Sequence, residues 1–246
     1  ALFGGSGTGK SVILRSIIGL EKPDAGEIFF YEKPLLGLRH AEWIEIRKRI
    51  AYVFQNGALF DSLSVYENIA YLLRAHTQLS ESEIAHKINE TLALLDMAGT
   101  QDLLPNELSG GMQMRASLAR ALVTEPDLLL MDEPFGALDA QTREVMHDLI
   151  RHVFKLEKTT IIFVTHDVEE GIYLGNRVVL MAPRPGRIDT IYDVPLPAER
   201  SQDMKHSPEF LQLKREILAR IRETSGMKTD FELLEKLTLQ ANHSQD

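Results

Sequence analysis

The feature that most constrains the fold is a glycine-rich segment close to the start of the chain. It fits the pattern G-x-x-x-x-G-K-[ST] through Gly4, Gly5, Ser6, Gly7, Thr8, Gly9, Lys10 and Ser11. The apolar segment Ala1–Phe3 precedes it as a strand end would, and a helical pattern follows it. The glycines allow successive backbone N–H groups to point at phosphate oxygens, and the helix adds its positive dipole end. The sequence therefore predicts a phosphate-binding loop between a strand and a helix, rather than an ordinary glycine-rich turn.

Two residues of this loop and two later carboxylates supply the candidate chemistry. Lys10 can bridge the β- and γ-phosphates of a nucleotide, and the Ser11 hydroxyl can bind Mg²⁺. A second apolar run, Leu128–Met131, ends in the adjacent carboxylates of Asp132 and Glu133, in the position where open α/β sheets place their ligands. Because successive strand side chains point to opposite faces, we assign Asp132 to the metal and Glu133 to the attacking water. The alternative is a solvated strand end before a proline turn.

Short apolar runs alternate with helical patterns along the chain. The runs that predict buried strands are Ile50–Phe54, Leu128–Met131, Ile161–Val164 and Val178–Met181. The helical patterns are Lys10–Ile18, Ser109–Val123, Ala140–Phe154 and Val168–Leu174. This alternation predicts an α/β fold with a mostly parallel sheet flanked by helices. Together with the glycine-rich motif, the pattern resembles P-loop NTPases of the RecA-like type.

Two regions depart from this alternation. Residues 56–107 have charged helical spacing with a helix start at Ser80–Glu83, and they predict a helical subdomain inserted into a domain that covers residues 1–200. Residues 201–246 predict a helical extension that packs on the core. Its two amphipathic patterns comprise Phe210, Leu213, Lys214, Ile217, Leu218 and Ile221, and then Phe231, Leu234 and Leu237. We expect residues 241–246 to fray, and we expect the domain to begin upstream of Ala1, because the chain starts inside a strand without an initiator methionine.

Composition argues against several classes of function. The 246 residues contain no cysteine, which excludes disulfides and thiolate metal sites and fits a reducing compartment. The net charge of −9 argues against a polynucleotide or an anionic membrane surface as the ligand and favours a free nucleotide. No apolar run approaches the roughly 18 to 20 residues that cross a bilayer, so we expect any membrane role to require a partner.

A further glycine-containing segment carries the most discriminating motif. The segment Leu108–Gln113, with the sequence LSGGMQ, lies upstream of the two adjacent carboxylates and resembles the signature sequence of ATP-binding cassette (ABC) ATPases. Ser109, Gly110 and Gly111 precede a helical pattern, so they can offer a hydroxyl, N–H groups and a helix N-terminus to an anion. In the family, that anion is the γ-phosphate bound to the other subunit. The alternative is a serine N-cap with flexible glycines and no ligand.

The resemblance extends to three single residues. Gln55 matches the Q-loop of the family, whose side-chain amide contacts Mg²⁺ or the attacking water. Asp139 matches the D-loop, which crosses the subunit interface. His166 matches the switch histidine, which contacts the γ-phosphate and positions the catalytic glutamate. Each residue alone is typical of a turn or a cap, but their order and spacing relative to the other motifs favour the ABC interpretation.

The resemblance implies an ATP-hydrolysing subunit of an ABC transporter that uses ATP and Mg²⁺. Its implied partners are a second ATPase subunit in a homodimer, transmembrane permease subunits and, for an importer, a periplasmic substrate-binding protein. Its implied location is peripheral, on the cytoplasmic side of the inner membrane. The adenine-stacking aromatic residue of the family would lie upstream of Gly4 and is absent from this sequence, so base selectivity rests on the resemblance alone.

The motifs point to two types of transporter. Asn56–Leu63 and Val65–Asn68 resemble the ATPases of bacterial phospholipid-trafficking systems that maintain outer-membrane lipid asymmetry. The segments that resemble nitrate, sulfonate and taurine importer ATPases are Asp132–Asp139, Ala182–Arg187 and Ser207–Phe210. The number of matching segments favours the importer, although the stretch from Pro183 is equally explained as a rigid turn before a strand at Ile188–Tyr192.

Other classes that share parts of this site fit the sequence less well. DNA-repair and chromosome-structuring ABC ATPases place a long coiled coil between the Q-loop and the signature, whereas sustained heptads are missing between Gln55 and Leu108. A translation-associated ABC protein needs two cassettes in tandem. A small GTPase shares the phosphate-binding loop alone, and the sequence has no Asn-Lys-x-Asp segment that would read guanine.

Overall fold

The computed structural model describes residues 1–55, 57–156 and 159–224. Its strands are β1 (Leu2–Gly4), β2 (Phe29–Phe30), β3 (Lys33–Pro34), β4 (Ile50–Val53), β5 (Leu128–Asp132), β6 (Thr160–Thr165), β7 (Arg177–Ala182) and β8 (Arg187–Asp193). Its α-helices are α1 (Lys10–Ile17), α2 (His40–Arg47), α3 (Val65–His76), α4 (Glu81–Leu94), α5 (Gly110–Leu122), α6 (Ala140–Leu156), α7 (Val168–Leu174) and α8 (Pro208–Thr224). None of the helices in these described ranges is both long and apolar enough to span a membrane.

The chain divides into two compact units, a central unit of Lys10–Thr165 and a terminal unit that joins Ala1–Gly9 to the segment from His166 onward. In the central unit, β5 pairs in parallel with β4 and with β6. The β5 residues Leu129, Leu130 and Met131 are fully buried. A strand between two parallel neighbours is covered on both faces, which explains why the sequence there is continuously apolar instead of alternating.

The chain between β4 and β5 is largely helical. A capping box opens α4, in which the Ser80 N–H donates to Glu83 Oε2 over 2.7 Å and the Glu83 N–H donates to Ser80 Oγ over 3.4 Å. Ile84, Ile88 and Leu92 recur at every fourth position and bury one face of the helix. The predicted helix start at Ser80 is confirmed, whereas the boundaries of a subdomain at residues 56–107 stay a prediction.

The terminal unit combines strands β1, β7 and β8 with helices α7 and α8. Strand β1 pairs in parallel with β7, and β7 forms an antiparallel hairpin with β8. The guanidinium of Arg220 on α8 donates to both carboxylate oxygens of Asp189 on β8, at 2.6 and 2.9 Å, which lowers the pKa of Asp189. The core of this unit comprises Phe3, Val168, Ile172, Tyr173, Val178, Leu180, Val194, Phe210, Leu213 and Ile217. The predicted amphipathic face of the first C-terminal helix is therefore confirmed.

Each strand and helix predicted within the described residues is present, with ends displaced by at most three residues. The sequence did not reveal the β2–β3 hairpin, whose strands have two residues each, or α2, whose apolar residues do not line one face because Ile44 is exposed. The start of α3 at Val65 was also not predicted, although Ser64 caps it through the Glu67 N–H. The sequence predictions for Asn56, for Phe231, Leu234 and Leu237, and for residues 241–246 lie outside the described residues.

Candidate active site

The start of α1 and the end of β5 bring four of the predicted site residues together in the central unit. The Ser11 hydroxyl donates to Asp132 Oδ1 over 2.9 Å. The ammonium group of Lys10 lies 3.6 Å from Glu133 Oε1, with 6% of the lysine side chain and 26% of the glutamate side chain exposed. A lysine is seldom buried without a charge partner, so this ion pair explains how Lys10 is accommodated. The two carboxylates therefore have separate partners, as the alternation of strand side chains predicts.

The backbone of Glu133 adopts a left-handed conformation that the sequence does not predict. Its φ is +48°, in the left-handed region that costs a non-glycine residue about 1 to 2 kcal/mol. Its N–H donates to the carbonyl of Val164 over 3.0 Å, so β6 holds the strained residue in place. Strained residues concentrate at functional sites, and here the strain directs the carboxylate that follows β5 toward Lys10.

Tyr52 on β4 belongs to the same cluster and was not among the predicted site residues. Its hydroxyl donates to Asp132 Oδ2 over 2.8 Å, so both oxygens of that carboxylate accept a hydroxyl hydrogen bond. Burial and the contact with Asp132 raise the pKa of Tyr52 well above its ordinary value, which keeps the phenol protonated as a donor. The sequence feature that could have indicated Tyr52 is its hydroxyl group, which stands inside the otherwise apolar strand β4.

The glycine-rich loop of the terminal unit contains two glycines in the left-handed region of the backbone. Gly7 and Gly9 have φ values of +75° and +93°, which residues with a Cβ adopt only with strain. The buried Thr8 turns its hydroxyl back to donate to the Gly5 carbonyl over 2.9 Å. The loop is thus fixed by its own side chain and leads directly into α1.

The signature segment lies against the residues of the predicted D-loop. Ser109 caps α5, because its hydroxyl accepts the Met112 N–H over 3.3 Å. A Cβ added at Gly111 would lie 2.7 Å from the methyl group of Thr142, so a larger residue here requires the Thr142 side chain to move. Asp139 accepts hydrogen bonds from the N–H and hydroxyl of Thr142 at 2.9 and 2.6 Å, which lower the pKa of Asp139. Both predicted residues therefore lie at helix starts, and Ser109, Gly110 and Asp139 are exposed.

The loop that carries Gln55 is clamped by α5. The Ser117 hydroxyl and the Arg120 guanidinium each donate to the Gly57 carbonyl over 2.8 Å, and Arg120 also donates to the Ala58 carbonyl over 2.8 Å. Gly57 and Ala58 have positive φ values of +69° and +48°. The helix that begins at the signature therefore holds the segment that follows the exposed Gln55.

His166 directly follows β6 in the chain and begins the terminal unit. Its side chain is exposed, and the next residue, Asp167, caps α7 by accepting the N–H groups of Glu169 and Glu170 at 2.8 and 3.3 Å. The position of His166 at a strand end agrees with the sequence pattern. Its role at a γ-phosphate stays a prediction.

The fold and the cluster at β5 together define a class of protein. A phosphate-binding loop, a buried lysine and two carboxylates at the end of a parallel strand are the parts of a P-loop enzyme that hydrolyses nucleotides. The family model described as ABC transporter matches residues 1–136. The chain belongs to that family, and it is an ABC transporter ATPase that binds ATP.

Curated relatives and solved structures agree with this assignment. The aliphatic sulfonates import ATP-binding protein SsuB of Bacillus cereus is 38% identical over 217 residues, which cover 88% of this chain and 80% of that protein. The sulfate/thiosulfate import ATP-binding protein CysA of Halalkalibacterium halodurans is 41% identical over 202 residues, which cover 79% of this chain and 55% of that protein.

Two solved structures share the fold. One is a dimeric ATP-binding cassette in a post-hydrolysis state bound to ADP and Pi, with a TM-score of 0.70 and 30% identity over 80% of this chain and 85% of that one. The other is cbiO1 of Clostridium perfringens, part of an ABC transporter complex, with a TM-score of 0.72 and 27% identity over 92% of this chain and 86% of that one. The predicted α/β P-loop NTPase fold with a mostly parallel sheet is confirmed.

Proposed function

We propose that two copies of this chain hydrolyse Mg-ATP at shared sites and thereby drive a membrane permease that imports a small solute of the nitrate, sulfonate or taurine type. The observation that carries the proposal is the pairing of Lys10 with Glu133 and of Ser11 with Asp132 where α1 meets β5. A cation, a hydroxyl and two carboxylates converge there. Phosphoryl transfer to water requires mainly such positioning and charge neutralisation.

Lys10 and Glu133 have linked roles in this proposal. A triphosphate carries more negative charge than a carboxylate, so it competes with Glu133 for the ammonium group of Lys10. Once Lys10 contacts phosphate oxygens, the Glu133 carboxylate is released to orient the attacking water and to accept its proton. Lys10 thus exchanges its ion pair with Glu133 for a phosphate contact, and Glu133 acts on the water.

Ser11 and Asp132 are the donors that we propose for the metal. A hydroxyl and a carboxylate oxygen are the hard ligands that Mg²⁺ takes together with substrate phosphates, and Gln55 offers a further amide oxygen at the end of β4. When bound, Mg²⁺ neutralises charge on the β- and γ-phosphates. We assign His166 to the γ-phosphate on the basis of the family resemblance.

The second half of each site comes from the other copy. Ser109 and Gly110 are exposed at the N-terminus of α5, where a hydroxyl, backbone N–H groups and the positive helix end can contact an anion on another molecule. Asp139 is exposed beside them. The dimeric cassette with ADP and Pi supports such an arrangement. Catalysis then requires that the two copies close on each other. Their opening and closing during the hydrolysis cycle is transmitted to the permease.

An aromatic surface on the central unit is the candidate docking site for the permease. Phe60 and Tyr71 are 49% and 55% exposed, and their rings pack edge to face with centroids 5.8 Å apart. The buried Asn68 fixes the Phe60 loop to α3, because its side chain bonds both the N–H and the carbonyl of Phe60 at 2.8 and 3.1 Å. Rigid aromatic residues are frequent anchors of protein interfaces.

The proposal is tested in proteoliposomes that contain the chain and the permease that co-purifies with it. Replacing both Phe60 and Tyr71 with alanine is expected to weaken the complex by at least about 2 kcal/mol, the loss typical of central aromatic anchors, and to abolish solute-stimulated ATP turnover. Leu20→Ala is the matched control, because Leu20 is 58% exposed and lies outside this surface. Normal coupling in the double variant would contradict the docking assignment.

The same proteoliposomes distinguish the transported solute. Stimulation of turnover by a sulfonate or nitrate, presented by its binding protein, is the expected result, and the sulfonate-import name of the Bacillus cereus relative supports it. The second candidate is a phospholipid, because the sequences of Asn56–Leu63 and Val65–Asn68 resemble those of phospholipid-trafficking ATPases. Stimulation by phospholipid transfer, with no response to either anion, would overturn the importer assignment.

A further inference from the structure

Tyr52 lies opposite the proposed metal ligand because of the register between β4 and β5. Tyr52 is the register partner of Leu130, and Asp132 lies two residues beyond Leu130, on the same face of the strand. The hydroxyl of Tyr52 accordingly reaches Asp132 Oδ2 at 2.8 Å.

The Asp132 carboxylate is held at both ends by hydroxyl groups. Ser11 donates to Oδ1 at 2.9 Å, and Tyr52 donates to Oδ2 at 2.8 Å. Two donors on different oxygens fix the rotation of the carboxylate plane as well as its position. A hydroxyl has one donor and two acceptor lone pairs, so Ser11 can keep its bond to Asp132 and still offer a lone pair to a metal.

Packing alone does not require a hydroxyl group at position 52. The Tyr52 ring packs against Phe54 with centroids 4.3 Å apart, and phenylalanine would preserve that contact. The hydroxyl contributes the bond to Asp132. Partners of metal-binding carboxylates orient the ligand, and their loss typically lowers metal affinity by about 10-fold to 100-fold.

We propose that Tyr52 is a positioning residue that orients Asp132 for Mg²⁺, an inference that rests on the proposed assignment of Asp132 to the metal. Mg²⁺ requires nearly ideal octahedral geometry with ligands at about 2.0 to 2.1 Å. A freely rotating carboxylate meets that requirement in only part of its orientations. Tyr52 acts through Asp132 and contacts neither phosphate nor water in this role.

The test measures metal affinity directly in the full-length protein. Mn²⁺ binding in the presence of ADP is followed by electron paramagnetic resonance for the wild type and for Tyr52→Phe. Mn²⁺ affinity is expected to fall by about 10-fold, ADP binding in EDTA to stay unchanged, and turnover to recover at saturating Mg²⁺. Tyr66→Phe is the matched control, since it removes a phenol hydroxyl from α3, and it should bind Mn²⁺ as the wild type does.

A third variant separates this inference from the function on which it rests. Asp132→Ala is expected to lose Mn²⁺ binding. Mn²⁺ affinity that is lost in Asp132→Ala but unchanged in Tyr52→Phe would overturn the role of Tyr52 and leave the metal assignment intact. Unchanged Mn²⁺ affinity in Asp132→Ala would overturn both. A lower melting temperature of Tyr52→Phe with unchanged Mn²⁺ affinity would show a purely structural residue and would also overturn the inference.

Discussion

Replacing Glu133 with glutamine is expected to lower ATP turnover by about 10²-fold to 10⁴-fold, the contribution typical of a positioned general base. Glutamine has nearly the same shape but cannot accept the proton of the attacking water. Nucleotide affinity should be unchanged or higher, because the variant no longer holds Lys10 in the ion pair measured at 3.6 Å. Turnover and equilibrium binding of ATP, measured on the same full-length preparation, check both expectations.

The glutamine variant should also accumulate as a closed pair. Without hydrolysis, ATP continues to bridge the two copies, so size-exclusion chromatography with Mg-ATP should show a dimer. Glu45→Gln is the control, because Glu45 is an exposed residue paired with Lys48 at the surface of α2. Two results would contradict the role assigned to Glu133. One is turnover of Glu133→Gln close to that of the wild type, and the other is a monomer under all nucleotide conditions.

Replacing Lys10 with alanine is expected to abolish turnover by weakening phosphate binding. A hydrogen bond to a charged group contributes about 1.5 to 3 kcal/mol, which corresponds to an ATP affinity roughly 10-fold to 100-fold lower. The substitution also removes the cation that lies 3.6 Å from Glu133, so this carboxylate repels the incoming phosphates more strongly. Titration calorimetry with a non-hydrolysable analogue measures the affinity, and phosphate release measures the turnover.

Two further lysine variants sharpen this test. Lys48→Ala removes a lysine that pairs with Glu45 on the surface, and it should hydrolyse ATP normally. Lys10→Arg keeps the charge but replaces a compact ammonium group by a larger planar guanidinium group. We therefore expect its ATP turnover to be impaired as well. Normal turnover in Lys10→Ala would refute the assignment of the phosphate-binding loop.

The fold was predictable because its signals are local. The run Leu128–Met131 is too short for a helix and too apolar for a surface strand, and it is buried as β5 between two parallel neighbours. Ser80 and Glu83 predict the start of α4 through side chains that reach three residues along the chain. The α2 helix was not predictable in this way, because its apolar residues do not share a face and its position depends on tertiary contacts.

The grouping of four candidate site residues was predictable, but the details of their contacts were not. The sequence pattern places Lys10, Ser11, Asp132 and Glu133 in one cluster, and the structure brings them within hydrogen-bonding or ion-pairing distance. Tyr52 was missed because its contact with Asp132 depends on the register of two strands that are far apart in sequence. The left-handed backbone of Glu133 was missed as well, since a glutamate in that conformation has no sequence signature.

The roles of Ser109, Gly110 and Asp139 cannot be derived from contacts within one chain. Their motifs mark helix starts, and within one chain the structure gives Ser109 and Asp139 local capping bonds. Capping is a sufficient explanation for the residue types at those two positions. The function that we propose for them requires an anion on a second copy, so it depends on an arrangement that no single chain contains.

The central claim, that each site is shared between two copies, is tested most directly by mixing two inactive variants. Lys10→Ala disables the phosphate-binding loop, and Gly110→Asp places a negative charge at the signature, where a Cβ would make only ordinary contact, 3.6 Å from Leu138. A mixed pair contains one site built from an intact loop and an intact signature. The account predicts that each variant alone is inactive and that mixing restores ATP turnover. No recovery in a mixture shown to contain mixed pairs would contradict it.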